Sequence, residues 1–129
     1  MEKKLIVIRG RIVAGLGQGQ FFTNREGYKL QFAKMLAFQP YPGTLNLKLE
    51  KPFVQPGRNV IKIHGFKEAN RTYGGCRCYP CCIEGIECAI IRPDHSRHSP
   101  NIIEIIAPVN LRMSLNLQDG DEVEVVLSS

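Results

Sequence analysis

Ile102-Ile103-Glu104-Ile105-Ile106-Ala107-Pro108 is a β-branched run with a single carboxylate at its centre. Side chains branched at Cβ suit the pleated surface of a sheet, so the stretch reads as a strand. Similar runs lie on both sides of it: Lys4–Val13, Thr44–Leu49, Val60–Phe66, Arg71–Cys82, Ile86–Ile91 and Asp121–Leu127, separated by turns that carry Gly and Pro. Many short strands punctuated in this way indicate a mainly β domain, a barrel or a sandwich. The 3.6-residue period predicts one longer helix from about Gly27 to Ala37, with Tyr28, Phe32, Met35 and Leu36 on one face. Thr23-x-x-Glu26 could cap its start, and Pro40 and Pro42 stop it. A second, short helix is predicted over Leu111–Leu115, entered through Pro108 and left through Asn116. Asp119-Gly120 is a turn signal, and Glu122 and Glu124 then alternate with Val123 and Val125 as in a half-buried closing strand.

The chain has 129 residues, 43% of them apolar and 22% charged, which fits one domain over residues 1–129 with ordinary globular usage. No run approaches the roughly 18 to 20 apolar residues that span a bilayer, so a soluble protein is expected, with no membrane partner. Met1–Ile8 lacks the longer apolar region and small-residue cleavage site of a secretory signal and reads as the start of the first strand. Five cysteines crowd between Cys76 and Cys88, an odd number without the spacing of a disulfide framework, so a reducing cytoplasm is expected. The net charge of +5 favours an anionic ligand, although a charge of this size also keeps a small domain in solution.

Four segments carry groups suited to chemistry. In Gly15-Leu16-Gly17-Gln18-Gly19-Gln20, three alternate glycines after a strand could take positive φ and bare their N–H groups to phosphate oxygens. A flexible connection would read the same. In Tyr41-Pro42-Gly43-Thr44-Leu45-Asn46-Leu47, the two-residue strand period puts Thr44 and Asn46 on one face and Leu45 and Leu47 on the other. The hydroxyl and the amide oxygen could hold Mg²⁺ once substrate phosphates supply charge, or they could simply be the wet face of an amphipathic strand. Glu104 either points out of a one-sided sheet or faces a cavity, where burial would raise its pKa and suit it to general-base work. Just upstream, Asp94–Pro100 is a polar loop that includes Ser96. Lastly, Cys76-x-Cys78-x-x-Cys81-Cys82 lacks the paired C-x-x-C spacing of zinc sites, and neighbouring cysteines on a strand point apart. Small buried or semi-exposed thiols are the default, with redox reactivity open.

Together, Gly15–Gln20, Pro42–Leu47, Ile102–Pro108, Leu111-Arg112 and Leu117-x-Asp119-Gly120-Asp121 resemble the archaeal CTP-dependent riboflavin kinases, in order and spacing from about Gly10 to Leu127. The resemblance implies a six-stranded cradle-loop barrel of the riboflavin-synthase-like kind, which transfers the γ-phosphate of CTP to the 5′-hydroxyl of riboflavin and releases FMN and CDP. It implies nucleotide binding by Gly15, Leu16, Gly17, Gln18, Gly19, Gln20, Val109, Asn110, Leu111 and Arg112. It further implies Mg²⁺ binding by Thr44 and Asn46, flavin contacts from Ser96 and Glu104, and Glu104 as the proton acceptor. Gln18 and Gln20 stand where family members often carry an acidic and then a basic residue, Ser96 stands where Thr is familiar, and the cysteine-rich stretch is outside the family motif. Some relatives carry a helix-turn-helix domain ahead of the barrel; with Met1–Ile8 read as the start of the first strand, none is expected here.

Two other classes compete. Related barrels dimerise and bind DNA or act as flavin-responsive regulators without kinase activity, and this chain is basic. Its Lys and Arg residues are dispersed, however, so a monomer acting on small molecules, without nucleic acid, is the expectation. A zinc or redox module centred on Cys76–Cys88 is the second alternative.

Overall fold

The structure is a computed structural model that describes residues 5–15, 18–54, 59–95 and 99–128, with Gln18, Gly19 and Ser128 described at the backbone only. Six antiparallel strands form a closed barrel. They are β1 (Leu5–Val13), β2 (Leu45–Leu49), β8 (Ile102–Ile106), β7 (Ile86–Pro93), β6 (Cys76–Ile83) and β9 (Glu122–Ser128), hydrogen-bonded as β6-β7-β8-β2-β1-β9. The seam is short: Cys81 opposite Leu127 and Cys82 opposite Val126 join β6 to β9. An additional strand, β3 (Ile61–Ile63), lies on the edge of β6, and β4 (Phe66–Glu68) pairs with β5 (Arg71–Tyr73) as a separate hairpin. Both tight hairpins turn through two residues with positive φ, Ala69-Asn70 and Glu84-Gly85, a backbone twist that matches the strands on either side.

Pro80 sits in the middle of β6 without breaking it. Residues 76–78 of β6 pair with β3 and residues 81–82 pair with β9. Pro80 therefore occupies the changeover, where the missing N–H removes no bond to either neighbour.

Each barrel strand is buried on one or both faces. Inside, Leu45, Leu47, Leu49, Ile90, Ile103, Ile105, Val125 and Leu127 form the main core. Outside, Ile63, Cys76, Cys78, Ala89, Ile91 and Ile106 pack beneath the helical layer through Phe22, Tyr28 and Phe32. That layer consists of α1 (Gln18–Thr23) and α2 (Glu26–Leu36). Covering on both sides explains why the run 102–106 is almost continuously apolar: Ile103 and Ile105 point in, while Glu104 and Ile106 point out beneath the helices.

Several local expectations are corrected. The run Arg71–Cys82 is two strands, parted at Gly74-Gly75, because β5 turns away to pair with β4. Val60–Phe66 likewise divides into β3 and the first residue of β4. The longer helix is capped by Arg25 in extended backbone rather than by Thr23, whose hydroxyl accepts instead from the Gly43 N–H at 2.9 Å. It ends in a left-handed Ala37, ahead of both prolines. Tyr28 and Phe32 are buried as the period requires, but Met35 is exposed. Gly27 lies inside the helix, since a Cβ there would come within 2.8 Å of three ring atoms of Phe66. The short helix, α3, spans Leu111–Ser114, with Asn110 as its cap.

Candidate active site

The outer face of β2 and β8 brings three of the expected side chains together. Asn46 is directly opposite Glu104 across the β2–β8 ladder, and Thr44 precedes Asn46 by one strand period. The Thr44 hydroxyl lies 3.4 Å from Glu104 Oε1, and Asn46 Nδ2 lies 3.4 Å from both the hydroxyl and the carbonyl oxygen of Thr44. Glu104 is 3% exposed and Asn46 6%, so neither belongs to a wet outer face. Two-residue alternation would send both to solvent in an open sheet; here both are covered.

Asn46 Oδ1 is buried without a hydrogen-bond partner among the described residues. A buried amide oxygen left unpaired costs about 1 to 3 kcal/mol unless a ligand or ion completes it. Together with the adjacent hydroxyl and carboxylate it forms a set of hard oxygen donors suited to Mg²⁺, with the remaining positions available to phosphate oxygens and water. The residues present therefore fit that ion. Among the described residues, no three His, Cys, Asp or Glu side chains converge on a metal-binding arrangement.

Gly15 closes the cluster from the end of β1. A Cβ at this position would overlap the Asn46 amide, so only glycine lets the backbone approach that side chain. This differs from the expected reason for the glycines. Gly15 does not have positive φ, and Gln18, Gly19 and Gln20 open α1 instead of continuing a loop. Leu16, Gly17 and Ser96 lie outside the described residues.

The second expected nucleotide segment faces the same place. A cleft of about 150 Å³ is lined on one side by Pro42, Gly43 and Thr44, and on the other by Val109, Asn110 and Arg112. Tyr41 N–H donates to the Ala107 carbonyl at 2.7 Å and ties the two sides together at the base. Asn110 accepts from Met113 N–H at 3.2 Å, which fixes the first turn of α3. Arg112 reaches Asp119 at 2.7 Å on the surface. Leu111 is buried in the main core and also lines the cleft.

Thr23 is the residue that sequence reasoning placed in the wrong role. It is 0% exposed, and its bond to Gly43 N–H anchors the Pro42-Gly43 turn to the end of α1. Its position after Phe21-Phe22 was the available signal, because two aromatics next to a threonine mark a segment that packs. Nearby, Tyr28 OH donates to the Gly74 carbonyl, while Gly75 and Asp94 are joined by a backbone bond of 3.1 Å. Asp94 is thereby tied to the Gly74-Gly75 segment that Tyr28 holds.

The five cysteines do not share one site. Cys76 and Cys78 point outward beneath the helices, whereas Cys81 and Cys88 point into the barrel. All five are free thiols.

Residues 12–127 match a family model named CTP-dep_RFKase, described as "Domain of unknown function DUF120". The chain is 55% identical over 121 residues to a riboflavin kinase of Methanocella arvoryzae, covering 94% of this chain and 56% of that protein. It is 45% identical to a riboflavin kinase of Pyrobaculum aerophilum, covering 90% of this chain and 58% of that protein. With a riboflavin kinase of Archaeoglobus fulgidus the identity is 43%, over 98% of this chain and 57% of the relative. The chain thus spans little more than half the length of the curated relatives it matches. No helix among the described residues is long and apolar enough to cross a membrane.

Proposed function

Since the chain belongs to the archaeal CTP-dependent riboflavin kinase family, we propose that it transfers the γ-phosphate of CTP to the 5′-hydroxyl of riboflavin, giving FMN and CDP. The observation that carries this reading is the meeting of Gly15, Thr44, Asn46 and Glu104 beside the cleft lined by Val109, Asn110 and Arg112. Phosphoryl transfer asks little covalent chemistry of a protein and much positioning and charge neutralisation. In this assignment the backbone around Gly15–Gln20 and the Val109–Arg112 turn hold the nucleotide. Thr44 and Asn46 would hold Mg²⁺, which when bound offsets charge on the nucleotide phosphates.

Glu104 is opposite Asn46 in the sheet, which supports assigning its carboxylate to the reacting hydroxyl. It accepts the proton of the riboflavin hydroxyl as that oxygen attacks, and Ser96 adds a flavin contact. The substrates are small molecules, and the chain acts in the cytoplasm as a monomer.

The test is direct. The protein is incubated with riboflavin, Mg²⁺ and, in turn, CTP, ATP, GTP and UTP, and FMN and the nucleoside diphosphate are separated and measured. FMN with CDP formed from CTP is expected; no FMN from any donor with folded protein refutes the assignment. Glu104→Gln is expected to lower kcat by roughly 10² to 10⁴-fold with little change in the KM for riboflavin. An unchanged kcat would remove the base role from Glu104. Thr44→Val and Asn46→Ala should raise the Mg²⁺ concentration needed for half-maximal rate.

A further inference from the structure

We infer that Cys81 and Cys88 are a reversible redox pair, in which a hydroperoxide oxidises the two thiols to a disulfide that staples β6 to β7 beside the seam of the barrel. The proposal is independent of the kinase reading and begins from register. Cys81 is directly opposite Cys88 in the antiparallel β6–β7 ladder, whereas Cys76, Cys78 and Cys82 are opposite Pro93, Ile91 and Glu87. Opposed residues of antiparallel strands have Cα atoms about 4.5 to 5.5 Å apart, within the roughly 4.4 to 6.8 Å that a disulfide spans. Both side chains also belong to the interior cluster, so they point to the same side of the sheet.

The two sulfurs already interact. The Cys81 thiol hydrogen-bonds to the Cys88 sulfur, and the Cys88 thiol in turn donates to the Ile86 carbonyl oxygen at 3.1 Å. The hydrogen bond from Cys81 holds the Cys88 thiol below its ordinary range against the opposing effect of burial. Donating that bond and being buried together push Cys81 up. A groove of about 370 Å³ runs along this part of the barrel wall and is lined by Cys81, Cys82 and Cys88 together with Met35, Pro80 and Leu127.

The chemistry balances in two steps. The Cys88 thiolate attacks one peroxide oxygen, the O–O bond breaks, and the departing hydroxide takes a proton to leave as water, giving a sulfenic acid. The sulfur of Cys81 then attacks the Cys88 sulfur, the S–O bond breaks, and the hydroxide leaves as a second water with the proton of Cys81. Two thiols and one hydroperoxide become one disulfide and two waters when the oxidant is hydrogen peroxide. A thiol reductant reverses it by exchange.

The experiment uses the full chain treated with hydrogen peroxide, quenched, denatured, alkylated and digested with trypsin. Cys78, Cys81, Cys82 and Cys88 fall in one tryptic segment, which begins after Arg77 and runs through the uncleaved Arg92-Pro93 bond to Arg97. The expected result is the loss of two hydrogens in the mass of that segment, two fewer alkylated thiols, and fragment ions that place the link at Cys81 and Cys88. Dithiothreitol should restore the original mass. C81S and C88S should each abolish the link, and C82S should leave it intact. A link that involves Cys82 or Cys78, or oxidation that proceeds to sulfinic acid without a link, overturns the proposal. Should a serine variant fail to fold, the fragment map of the unsubstituted chain still distinguishes these outcomes.

Discussion

At the scale of single residues, Gly15 and Tyr28 carry the sharpest expectations. A methyl group at Gly15 has nowhere to go except into the Asn46 amide, so Gly15→Ala must displace the side chain assigned to the metal. A misplacement of this kind in a reacting constellation costs up to roughly 10²-fold in rate. Steady-state kinetics of Gly15→Ala should show that loss while circular dichroism reports a folded barrel. Tyr28 gives a pH test. Burial pushes its phenol up to about 12, with a smaller contribution from Cys76 and an opposing one from Arg25. The folded state therefore keeps a proton that the unfolded chain, with a tyrosine pKa near 10, releases. Stability from this group is complete below about pH 10 and is lost as pH rises towards about 12. Urea midpoints measured across that window should fall, and Tyr28→Phe should remove that component of the slope. These residues also mark what the sequence could and could not disclose. Asn46 and Thr44 were legible from strand period as same-face neighbours, but the burial of Asn46 and the reason for Gly15 depend on contacts between distant segments.

At the scale of elements, period and punctuation located the strands to within a residue or two, since each is bounded by Gly, Pro or a turn pair. Less legible were the places where a strand changes partner. Arg71–Cys82 is broken only by Gly74-Gly75, where β5 diverges towards β4 and parts from β6. Helix α1 was hidden for the opposite reason: Gly17 and Gly19 lower helix propensity, and the packing of Phe22 and Thr23 against the barrel side overrides it. Gly27 shows the same competition in a measurable form. Alanine at an exposed helix position gains about 1 kcal/mol over glycine, yet here it meets the Phe66 ring, where overpacking costs about 1 to 3 kcal/mol. Gly27→Ala should therefore be destabilising in chemical denaturation. In a Phe66→Leu background the same change should turn neutral or stabilising, and the double-mutant cycle reads the clash directly.

For the molecule as a whole, closure of the barrel rests on a short seam, and its interior is one continuous cluster. Leu127 lies in that cluster and at the seam, opposite Cys81. Leu127→Ala should cost about 2 to 5 kcal/mol, while Val54→Ala, at an 83% exposed position, should stay within about 0.5 kcal/mol. Amide hydrogen exchange of Leu127→Ala should rise first in β6 and β9, and equal acceleration across all strands would show that the seam has no separate opening. The six-stranded closure was an expectation carried by the resemblance, because short strands alone fit a sandwich equally well. The pairing of β6 with β9 decides between them.

Pro80 has a bearing on how such a sheet avoids wrong partners. Sliding β6 by one or two residues along either neighbour would bring the proline nitrogen to a position where a carbonyl of β3 or β9 expects a donor. A misaligned sheet would then forfeit a ladder bond that the correct one never needs. Placed at the single junction between two pairings, a residue usually regarded as hostile to strands penalises the misfolded arrangements and leaves the native one untouched.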